Sequence, residues 1–409
     1  MKEEDRENLN FVIGESCVLE EIGQQKPLRP FALETLQFLD GWGSHCRQSQ
    51  RRRSARKESV FTDVFAFAFW CRKNHLEKEK ERYGKELEER LGVGVTLHFA
   101  ASNVPTLFAY SLAAALLAGN CVLLRLPSKD SEQENILCSA LEETLLDFPQ
   151  WRKRVVLFRS AHSLKINEEL SQLCQLRLIW GGDETIQEIR QAHLPVRARE
   201  LPFVDRSSAA ILSAKKVLAF RKEELEQVAR NFYNDCYLND QNACSSPRML
   251  YWLGQEEEVI LARKRFWNAV WAKAKESYSL AQQQAVQKLE QAYWIAANWK
   301  DVKLEFYENF AVCVWFPSFP KECESLSIPG GFFLESGGEK LEDFFSILTQ
   351  KCQTLTCLGL EPRFVRAKLI EQRIFGVDRI VPFGHALDFS LIWDGRDLIR
   401  EMSRRISCE

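Results

Sequence analysis

A cysteine in a polar loop is the residue of this sequence best suited to covalent chemistry. Cys244 stands in the stretch LNDQNACSSPR, where amide, carboxylate and hydroxyl side chains surround it. A thiolate is the nucleophilic form of cysteine, and nearby backbone N–H groups or a helix end stabilise it, whereas an apolar environment suppresses it. Cys121 in NCVLLRL and Cys313 in AVCVWF lie in apolar runs, so we expect both to be buried and inert. The pattern therefore makes Cys244 the candidate nucleophile among thirteen cysteines, and the alternative at this point is an inert loop cysteine, since most loop cysteines have no catalytic role.

The composition favours an enzyme acting on small molecules. The 409 residues carry a net charge of only −2, which favours neither nucleic acid nor a membrane surface as a partner. An odd cysteine count without any C-x-x-C pair indicates a reducing compartment and no metal site. The N-terminal stretch MKEEDRENLNF is too charged for a secretory signal, so we expect a cytoplasmic protein.

Alternating strands and helices must position the candidate residues. The uncharged stretch 92–124 has the pattern of a strand, a helix and a second strand, with Pro105 near the start of the helix. Because this pattern is that of a buried α/β unit, the stretch is not expected to span a membrane. The alternation continues to about Ala192 after mostly helical N-terminal residues. It predicts a parallel, doubly wound sheet with ligands where strand ends meet helix starts.

The same alternation restarts near Asp205 and predicts a second α/β domain. We expect residues 1–205 to form N-terminal helices plus a cofactor-binding domain, and residues 206–384 to form a catalytic domain that carries Cys244. Residues 385–409 are expected to form a final strand and helix, with a possible role in oligomerisation.

Five motifs, in order along the chain, resemble the aldehyde dehydrogenase superfamily. AASNVP matches the strand-end asparagine motif of the superfamily, and VLLRLPSK matches its cofactor strand. LRLIWGGDETI matches its F-T-G-S turn, and FYENFAVCVWF matches its E-x-F-G-P-V stretch. DQNACSSP matches its N-x-G-Q-x-C nucleophile loop, with Gln241 and Cys244 at the glutamine and cysteine positions. Within that superfamily the chain is most similar to the LuxC-type acyl-CoA reductases, from about Leu91 to the C-terminus, including the C-terminal stretch DRIVPFGHALDFSLIWDGRDLI. The resemblance implies an aldehyde dehydrogenase-like α/β fold with two Rossmann-like domains.

The resemblance also implies a reaction, a cofactor and partners. Cys244 would attack an acyl-CoA thioester and hold the acyl group, Asn103 and the Cys244 N–H would bind the oxyanion, and NADPH would reduce the acyl group to an aldehyde. An acyl-protein synthetase or acyl transferase is a possible partner, and self-association into a homo-oligomer is expected. The residues implied in cofactor binding are Arg125 and Ser128, with Lys129 nearby, for the 2′-phosphate, Gly181 and Gly182 for the pyrophosphate, Glu308 for the nicotinamide ribose and Phe310 for the nicotinamide ring.

One departure from the superfamily pattern favours reduction over hydrolysis. Hydrolytic members carry a glutamate in E-L-G-G-K that activates water, and the corresponding stretch here, ELPFVDRSSAAIL, has Phe203 at or near that position. Glu200 is the nearest acid and is out of register. Without a water-activating base, an acyl thioester should persist until a reductant or another thiol arrives.

Each assignment has a structural alternative. Asn103 could be the N-cap of a helix that begins at Pro105, Gly181 and Gly182 a simple turn, Glu308 a solvated acid and Phe310 part of the core. His98 and His385 are expected to be structural. Two other functions stay open: an NAD-dependent, CoA-acylating aldehyde dehydrogenase, and a catalytically silent acyl carrier or scaffold.

Overall fold

The chain divides into two compact units in a computed structural model that describes residues 8–408. Unit 1 contains the residues up to 204 together with those from 391 onward, and unit 2 contains residues 205–390. Residues 1–7, which carry most of the charged N-terminal stretch, and residue 409 lie outside the described residues. No helix within the described part is long and apolar enough to cross a membrane.

The part of unit 1 before residue 205 begins with helices and continues as alternating strands and helices. Its strands are β1 (Leu9–Ile13), β2 (Arg90–Gly92), β3 (Val95–Phe99), β4 (Cys121–Arg125), β5 (Val155–Ser160), β6 (Leu176–Trp180) and β7 (Arg199–Phe203). Its helices are α1 (Val18–Glu21), α2 (Leu33–Ala55), α3 (Thr62–Trp70), α4 (Lys73–Glu81), α5 (Leu107–Leu117), α6 (Glu132–Asp147), α7 (Leu164–Ser171) and α8 (Asp183–Arg190), with short 3₁₀ helices at Ile22–Gln24, Gly84–Glu89 and Pro149–Lys153.

Six of these strands form the sheet of unit 1 in the order β1-β5-β4-β3-β6-β7, and all except β1 run parallel. Strands β3, β4 and β6 are buried along their whole length, as expected for parallel strands with helices on both faces. The chain builds outward from β3 to β4 and β5, then returns to the other side of β3 with β6. This reversal makes the carboxyl ends of β3, β4 and β6 the place where a doubly wound sheet binds ligands.

Unit 2 repeats the alternation. Its strands are β8 (Ser207–Ser213), β9 (Met249–Leu253), β10 (Lys303–Tyr307), β11 (Ala311–Trp315), β12 (Phe332–Gly338), β13 (Cys352–Leu358) and β14 (Arg379–Pro382). Its helices are α9 (Ala214–Ala219), α10 (Lys222–Cys236), α11 (Glu256–Ser277), α12 (Gln282–Asn298), α13 (Cys323–Leu326), α14 (Leu341–Phe345) and α15 (Pro362–Glu371).

The seven strands of unit 2 form a sheet in the order β10-β11-β12-β9-β8-β13-β14, parallel except for the edge strand β10. Alternation along β8 shows how both faces are filled. Ala210 and Leu212 join the apolar cluster that contains residues of α10 and α11, whereas Ala209 and Ile211 join a second cluster on the opposite face. Two covered faces make unit 2 a second doubly wound sheet, as the sequence predicted.

The C-terminal segment differs from the single strand and helix predicted for residues 385–409. It forms a hairpin of β15 (Ile392–Trp393) and β16 (Arg396–Asp397), a single-turn helix α16 (Leu398–Glu401) and strand β17 (Ser403–Arg405), which pairs with β2. Asp394 and Gly395 between the hairpin strands both have positive φ, which is typical of a two-residue turn. The Asn120 side chain donates to the Met402 carbonyl at 2.8 Å and so ties this segment to the earlier part of unit 1.

Candidate active site

The Cys244 loop connects α10 to β9 in unit 2, and neighbouring strands fix its position. The Ser208 hydroxyl on β8 donates to the Cys244 carbonyl at 2.7 Å. The Cys244 thiol donates to Oε1 of Gln353 on β13 at 3.5 Å. Ser246 donates to the Asp235 carbonyl at 2.7 Å, which fixes the loop to the end of α10. The thiol therefore lies at the amino ends of the central strands of unit 2.

Gln241 is the side chain that holds this loop in shape. It is fully buried and bonds only to backbone: Nε2 donates to the carbonyls of Pro247 and Phe332 at 2.8 and 3.3 Å, and Oε1 accepts from the N–H groups of Gly331 and Phe332 at 3.0 and 3.2 Å. Asp240 and Gln241 both adopt positive φ, a conformation that non-glycine residues rarely take without such support. The glutamine matched by resemblance thus has a structural role in presenting Cys244.

Burial separates Cys244 from most of the other thiols. Ten cysteines are buried, Cys17 and Cys408 are exposed, and Cys244 alone is intermediate. Burial raises the pKa of every one of the ten buried thiols. The expectation that Cys121 and Cys313 are buried is confirmed, because both are at most 1% exposed.

Two arginines supply positive charge near Cys244. Burial lowers the pKa of Arg248, and the negative charges of Asp205 and Cys244 oppose that shift. Burial likewise lowers the pKa of Arg379, opposed by Asp388, Asp235 and Cys244. The interaction is reciprocal, so both guanidinium groups favour the ionised form of the Cys244 side chain.

Asp235 is a buried acid beneath the loop. Its carboxylate accepts from the N–H groups of Gly384 and Ala386 at 2.7 and 2.8 Å. Burial raises its pKa to about 7, although these two hydrogen bonds act in the opposite direction. Asp235 therefore connects the Cys244 loop to the chain after β14. His385, in that segment, pairs with Asp388 at 2.7 Å.

The predicted residues of unit 1 follow the carboxyl ends of adjacent strands. Asn103 follows β3, Arg125 ends β4, and Gly181 and Gly182 follow β6. Since β4, β3 and β6 are neighbours in the sheet, the structure brings these residues to one edge. Asn103 is exposed, and it is not the N-cap of α5, because that helix begins at Leu107 with Thr106 as its cap. The N-cap alternative is therefore wrong.

Arg125 is a buried cation at this edge. It is 7% exposed and lies 5.7 Å from the centre of the Phe99 ring. Burial lowers its pKa, and the negative charge of Glu188 opposes that shift. Ser128 and Lys129 beyond it are exposed. Arg159 donates to the Pro127 carbonyl at 3.1 Å and pairs with Glu134, which holds this loop in place.

The glycine pair after β6 begins a helix, as predicted. Gly182 is the N-cap of α8, and no atom lies within 4 Å of the position that a Cβ would take there. This opening lets a ligand approach the backbone. The first turn of α8 also carries Asp183 and Glu184, which weaken the attraction of this helix end for an anion.

Phe203 and Glu200 lie on the same strand, β7, and contact different side chains. Phe203 stacks on Trp180, with ring centres 3.8 Å apart and planes 8° apart. The Glu200 carboxylate pairs with Arg177 and with Arg190, the latter at 2.6 Å. Glu200 is thus fixed in an ionic pair, and the position expected to lack a base is filled by an aromatic ring.

Glu308 and Phe310 lie in the turn between β10 and β11. Glu308 has a positive φ, is half-exposed and pairs with Lys275 at 2.8 Å. Phe310 packs against the core of unit 2, and its carbonyl accepts from the Tyr237 hydroxyl at 3.2 Å. Lys288 donates to the carbonyls of Asn309 and Gly330. It therefore joins this turn to Gly330 and Gly331, and the Gly331 N–H in turn donates to Gln241. In this structure both residues fit their structural alternatives, and their cofactor roles stay predictions.

His98 is a buried polar residue of unit 1 with two side-chain hydrogen bonds. His98 is fully buried, bonded to Ser111 at 2.7 Å and to Thr96 at 2.9 Å, and burial lowers its pKa to about 3. Ser111 also accepts from Trp180 at 2.9 Å, so His98 supports the strand end before Gly181. Among residues 8–408 no group of three His, Cys, Asp or Glu side chains is arranged to hold a metal ion.

Sequence reasoning missed Gln353, Ser208 and Asp235 as neighbours of the Cys244 loop. Gln353 is 109 residues from Cys244, so no local spacing indicates the contact. The available signal was an amide side chain inside the strand CQTLTCL, which is otherwise built of cysteine, leucine and threonine, since buried polar groups almost always have a specific partner. Cys244 and Asn103 belong to different units, and their convergence stays a prediction.

Comparison with known proteins gives one family and one fold. A family model described as "Acyl-CoA reductase (LuxC)" matches residues 71–318. The long-chain acyl-protein thioester reductase of Aliivibrio fischeri is 25% identical over 169 residues, 41% of this chain and 34% of that protein. The Vibrio harveyi protein of the same name is 24% identical over 209 residues, 50% of this chain and 42% of that protein. The matches thus span well under half of these relatives.

Solved structures match over a much larger share of the chain. A lactaldehyde dehydrogenase superposes with a TM-score of 0.66 at 14% identity, covering 95% of this chain and 89% of that one. A Thermus 1-pyrroline-5-carboxylate dehydrogenase with bound NAD gives 0.64 at 12% identity, covering 95% and 84%. At such identities the likeness shows the fold alone, and it confirms the predicted aldehyde dehydrogenase-like α/β class.

Proposed function

Because this chain belongs to the LuxC acyl-CoA reductase family, we propose that it reduces the acyl group of an acyl-CoA thioester to an aldehyde through an acyl-Cys244 intermediate, with NADPH as the reductant. The observation that carries the proposal is the Cys244 loop. One partly exposed thiol is presented by a loop whose polar groups are bonded to buried backbone, while ten other thiols are buried. Such preorganisation is what a covalent nucleophile requires.

The first half of the reaction is acyl transfer. The Cys244 thiolate attacks the thioester carbonyl carbon, the carbon–sulfur bond to CoA breaks, and CoA leaves as a thiolate that takes up a proton. Arg248 and Arg379 stabilise the attacking thiolate. The Cys244 N–H and the Asn103 side chain would donate to the oxyanion, and losing one such donor typically slows a reaction about a hundredfold to a thousandfold.

The second half is reduction. When bound, the reduced nicotinamide would supply a hydride, one proton with two electrons, to the acyl carbon. The thiohemiacetal alkoxide then held on Cys244 would break its carbon–sulfur bond, releasing the aldehyde and restoring the Cys244 thiolate. Phe203 and the ion-paired Glu200 offer no base to activate water, which favours reduction over hydrolysis.

The strand-end residues of unit 1 suit a phosphorylated nicotinamide cofactor. Arg125 is a buried cation that interacts with the negative charge of Glu188, and Ser128 and Lys129 further along the chain are exposed. A cation and neutral donors favour a 2′-phosphate. Gly181 and Gly182 would receive the pyrophosphate, with Glu308 and Phe310 at the nicotinamide end. The NAD bound to the Thermus dehydrogenase supports a nicotinamide cofactor in general.

The names of the curated relatives point to a second source of the acyl group. They are acyl-protein thioester reductases, so a partner protein, such as an acyl-protein synthetase or acyl transferase, could deliver the acyl group as a thioester. The attack by Cys244 would be the same. Self-association into a homo-oligomer is also part of the proposal.

The test is oxidation of NADPH by the purified chain with acyl-CoAs of graded length, together with trapping of the aldehyde. We expect equal amounts of aldehyde, CoA and NADP⁺. Faster turnover of aldehyde plus CoA with NAD would favour the acylating dehydrogenase instead, and acylation without any hydride transfer would favour a silent acyl carrier. Cys17→Ser serves as a matched control, because Cys17 is an exposed thiol and should leave turnover unchanged.

A further inference from the structure

Gln353 is a buried carboxamide directed at the candidate nucleophile. It is the second residue of β13 and is 2% exposed. Its Oε1 accepts the Cys244 thiol at 3.5 Å and the Thr354 hydroxyl at 3.4 Å. Its backbone carbonyl accepts the Asp378 N–H at 2.9 Å, so the strand pairing fixes its position. A polar side chain at this depth needs a partner, and one of its partners is the thiol of Cys244.

The direction of the amide determines which form of the thiol it favours. A carboxamide oxygen accepts a hydrogen bond from an S–H group but offers no hydrogen to a thiolate. A hydrogen bond to the neutral form of a group disfavours its ionisation. In the structure the amide oxygen, rather than the nitrogen, lies toward the sulfur and toward the Thr354 hydroxyl.

Charged groups around the sulfur act in the opposite sense. Arg248, at the start of β9, and Arg379, at the start of β14, both interact favourably with a Cys244 thiolate. Negative groups partly balance the two guanidinium groups. These are Asp205 near Arg248, Asp388 near Arg379, and Asp378, which pairs with Arg206 beside β13. Asp235 also lies near Arg379, and because burial raises its pKa to about 7 it is only partly ionised at neutral pH.

We propose that Gln353 is a positioning residue that holds Cys244 as a protonated thiol in the resting enzyme and so raises the pH at which the nucleophile forms. The proposal rests on the function assigned to Cys244 above. Ionisation breaks the S–H···Oε1 bond and releases one proton to solvent, after which the two arginines stabilise the thiolate. The resting thiol is thereby protected from alkylation and oxidation, because the thiolate is the reactive form.

The test is the pH dependence of Cys244 alkylation by iodoacetamide in the full chain, read by peptide mass spectrometry. Gln353→Met keeps the length of the side chain and removes the strong acceptor. We expect the midpoint pH of Cys244 alkylation to fall by about one unit, with labelling at neutral pH up to about tenfold faster. Cys17 and Cys408, both exposed, provide internal controls whose profiles should not move.

A matched variant separates this effect from a general loss of packing. Gln50→Met replaces another fully buried glutamine, which lies in α2 of unit 1, and should leave the Cys244 profile unchanged. If Gln353→Met does not fold, Gln353→Leu replaces it. A midpoint that stays in place or rises would overturn the proposal, and a rise would mean that the amide donates its N–H to the thiolate. The assay needs no acyl substrate, so a shifted midpoint in an enzyme without reductase activity contradicts only the proposed function.

Discussion

The two α/β units place their candidate residues at opposite ends of their parallel strands. In unit 1, Asn103, Arg125 and Gly181 follow or end strands at their carboxyl ends, where doubly wound sheets usually bind ligands. In unit 2, Cys244 lies at the amino ends of the strands, in a loop that precedes β9. A search restricted to carboxyl ends would find the first set and miss the candidate nucleophile.

The two regions also differ in how firmly they are held. Gln241 ties the Cys244 loop to four backbone groups, and Ser208 and Gln353 bond to Cys244 itself. The strand-end residues of unit 1 include exposed Asn103, Ser128 and Lys129. Under the proposed function, the Cys244 loop is organised before substrate arrives, and the exposed residues at the edge of unit 1 contact the cofactor when it binds.

Removing the nucleophile should have the largest effect. Cys244→Ala leaves no group that can hold the acyl intermediate, so reductase turnover should fall by at least about a thousandfold. Stopped-flow and steady-state NADPH oxidation measure this loss. Cys408→Ala, at an exposed cysteine, is the control and should retain full activity. Substantial activity in Cys244→Ala would remove the nucleophile role from the Cys244 loop.

Loss of the loop anchor should come next. Gln241→Leu leaves buried backbone groups of Gly331, Phe332 and Pro247 without partners, each worth about 1–3 kcal/mol. We expect kcat to fall about a hundredfold and the melting temperature to drop. Gln227→Leu, at an exposed glutamine on α10, should change neither. Unchanged kcat in Gln241→Leu would show that the loop does not need this anchor.

At the binding edge of unit 1 the effect should be on affinity. Arg125→Leu removes a charged hydrogen-bond donor, so KM for NADPH should rise about tenfold or more, with a smaller change for NADH and little change in kcat. The melting temperature should hold or rise, because burial disfavours the charged form of Arg125 more than Glu188 favours it, as its lowered pKa shows. Arg152→Leu, at an arginine paired with Glu142, is the control. Equal changes for NADPH and NADH would argue against a role at the 2′-phosphate.

The stability of unit 1 should fall in acid because of His98. Its pKa is about 3 in the fold against 6.5 for an ordinary histidine, so the unfolded chain binds the extra proton between these values. Stability contributed by neutral His98 is therefore complete above about pH 6.5 and is lost as pH falls, by about 2 kcal/mol at pH 5. Hydrogen exchange of β3 in the wild type and in His98→Asn measures the difference. The account would be contradicted if the free energy of unfolding of the wild type fell with decreasing pH no more steeply than that of His98→Asn.

In unit 2 the dependence of stability on pH should have the opposite sign because of Asp235. The pKa of Asp235 is about 7 in the fold against 3.8 ordinarily, so the folded state keeps a proton that the unfolded state loses between these values. Stability should therefore decline as pH rises from about 4 to about 7, by about 1–2 kcal/mol at pH 5. Asp235→Asn should flatten this decline in the exchange of α10, and an unaltered slope would show that Asp235 is ionised throughout.

Most of the fold could be predicted from the sequence because the residues that begin and end its strands and helices act locally. Strand β4 ends at Arg125 and α8 begins after Gly182, as the apolar runs and glycines indicated. The start of α5 was misplaced, because Pro105 is typical of a first helical turn, yet the helix begins at Leu107. The C-terminal hairpin was also missed, although Asp394–Gly395 is a strong turn signal.

The site could be predicted only in part, because its contacts are distant in sequence. Cys244 was recognisable from the polar residues beside it. Gln353 and Ser208 approach it only because β13 and β8 are adjacent in the sheet, and strand order is a property of the tertiary fold. The bonds of Gln241 to β12 depend on the same strand order.

The most direct test of the central claim is the mass of the chain after incubation with an acyl-CoA and no cofactor. The account predicts one added acyl group, located on Cys244 by peptide mapping, which disappears when NADPH is added and appears in equal amount as aldehyde. An acyl group on another residue, or none on a Cys244 that iodoacetamide still labels, would contradict it.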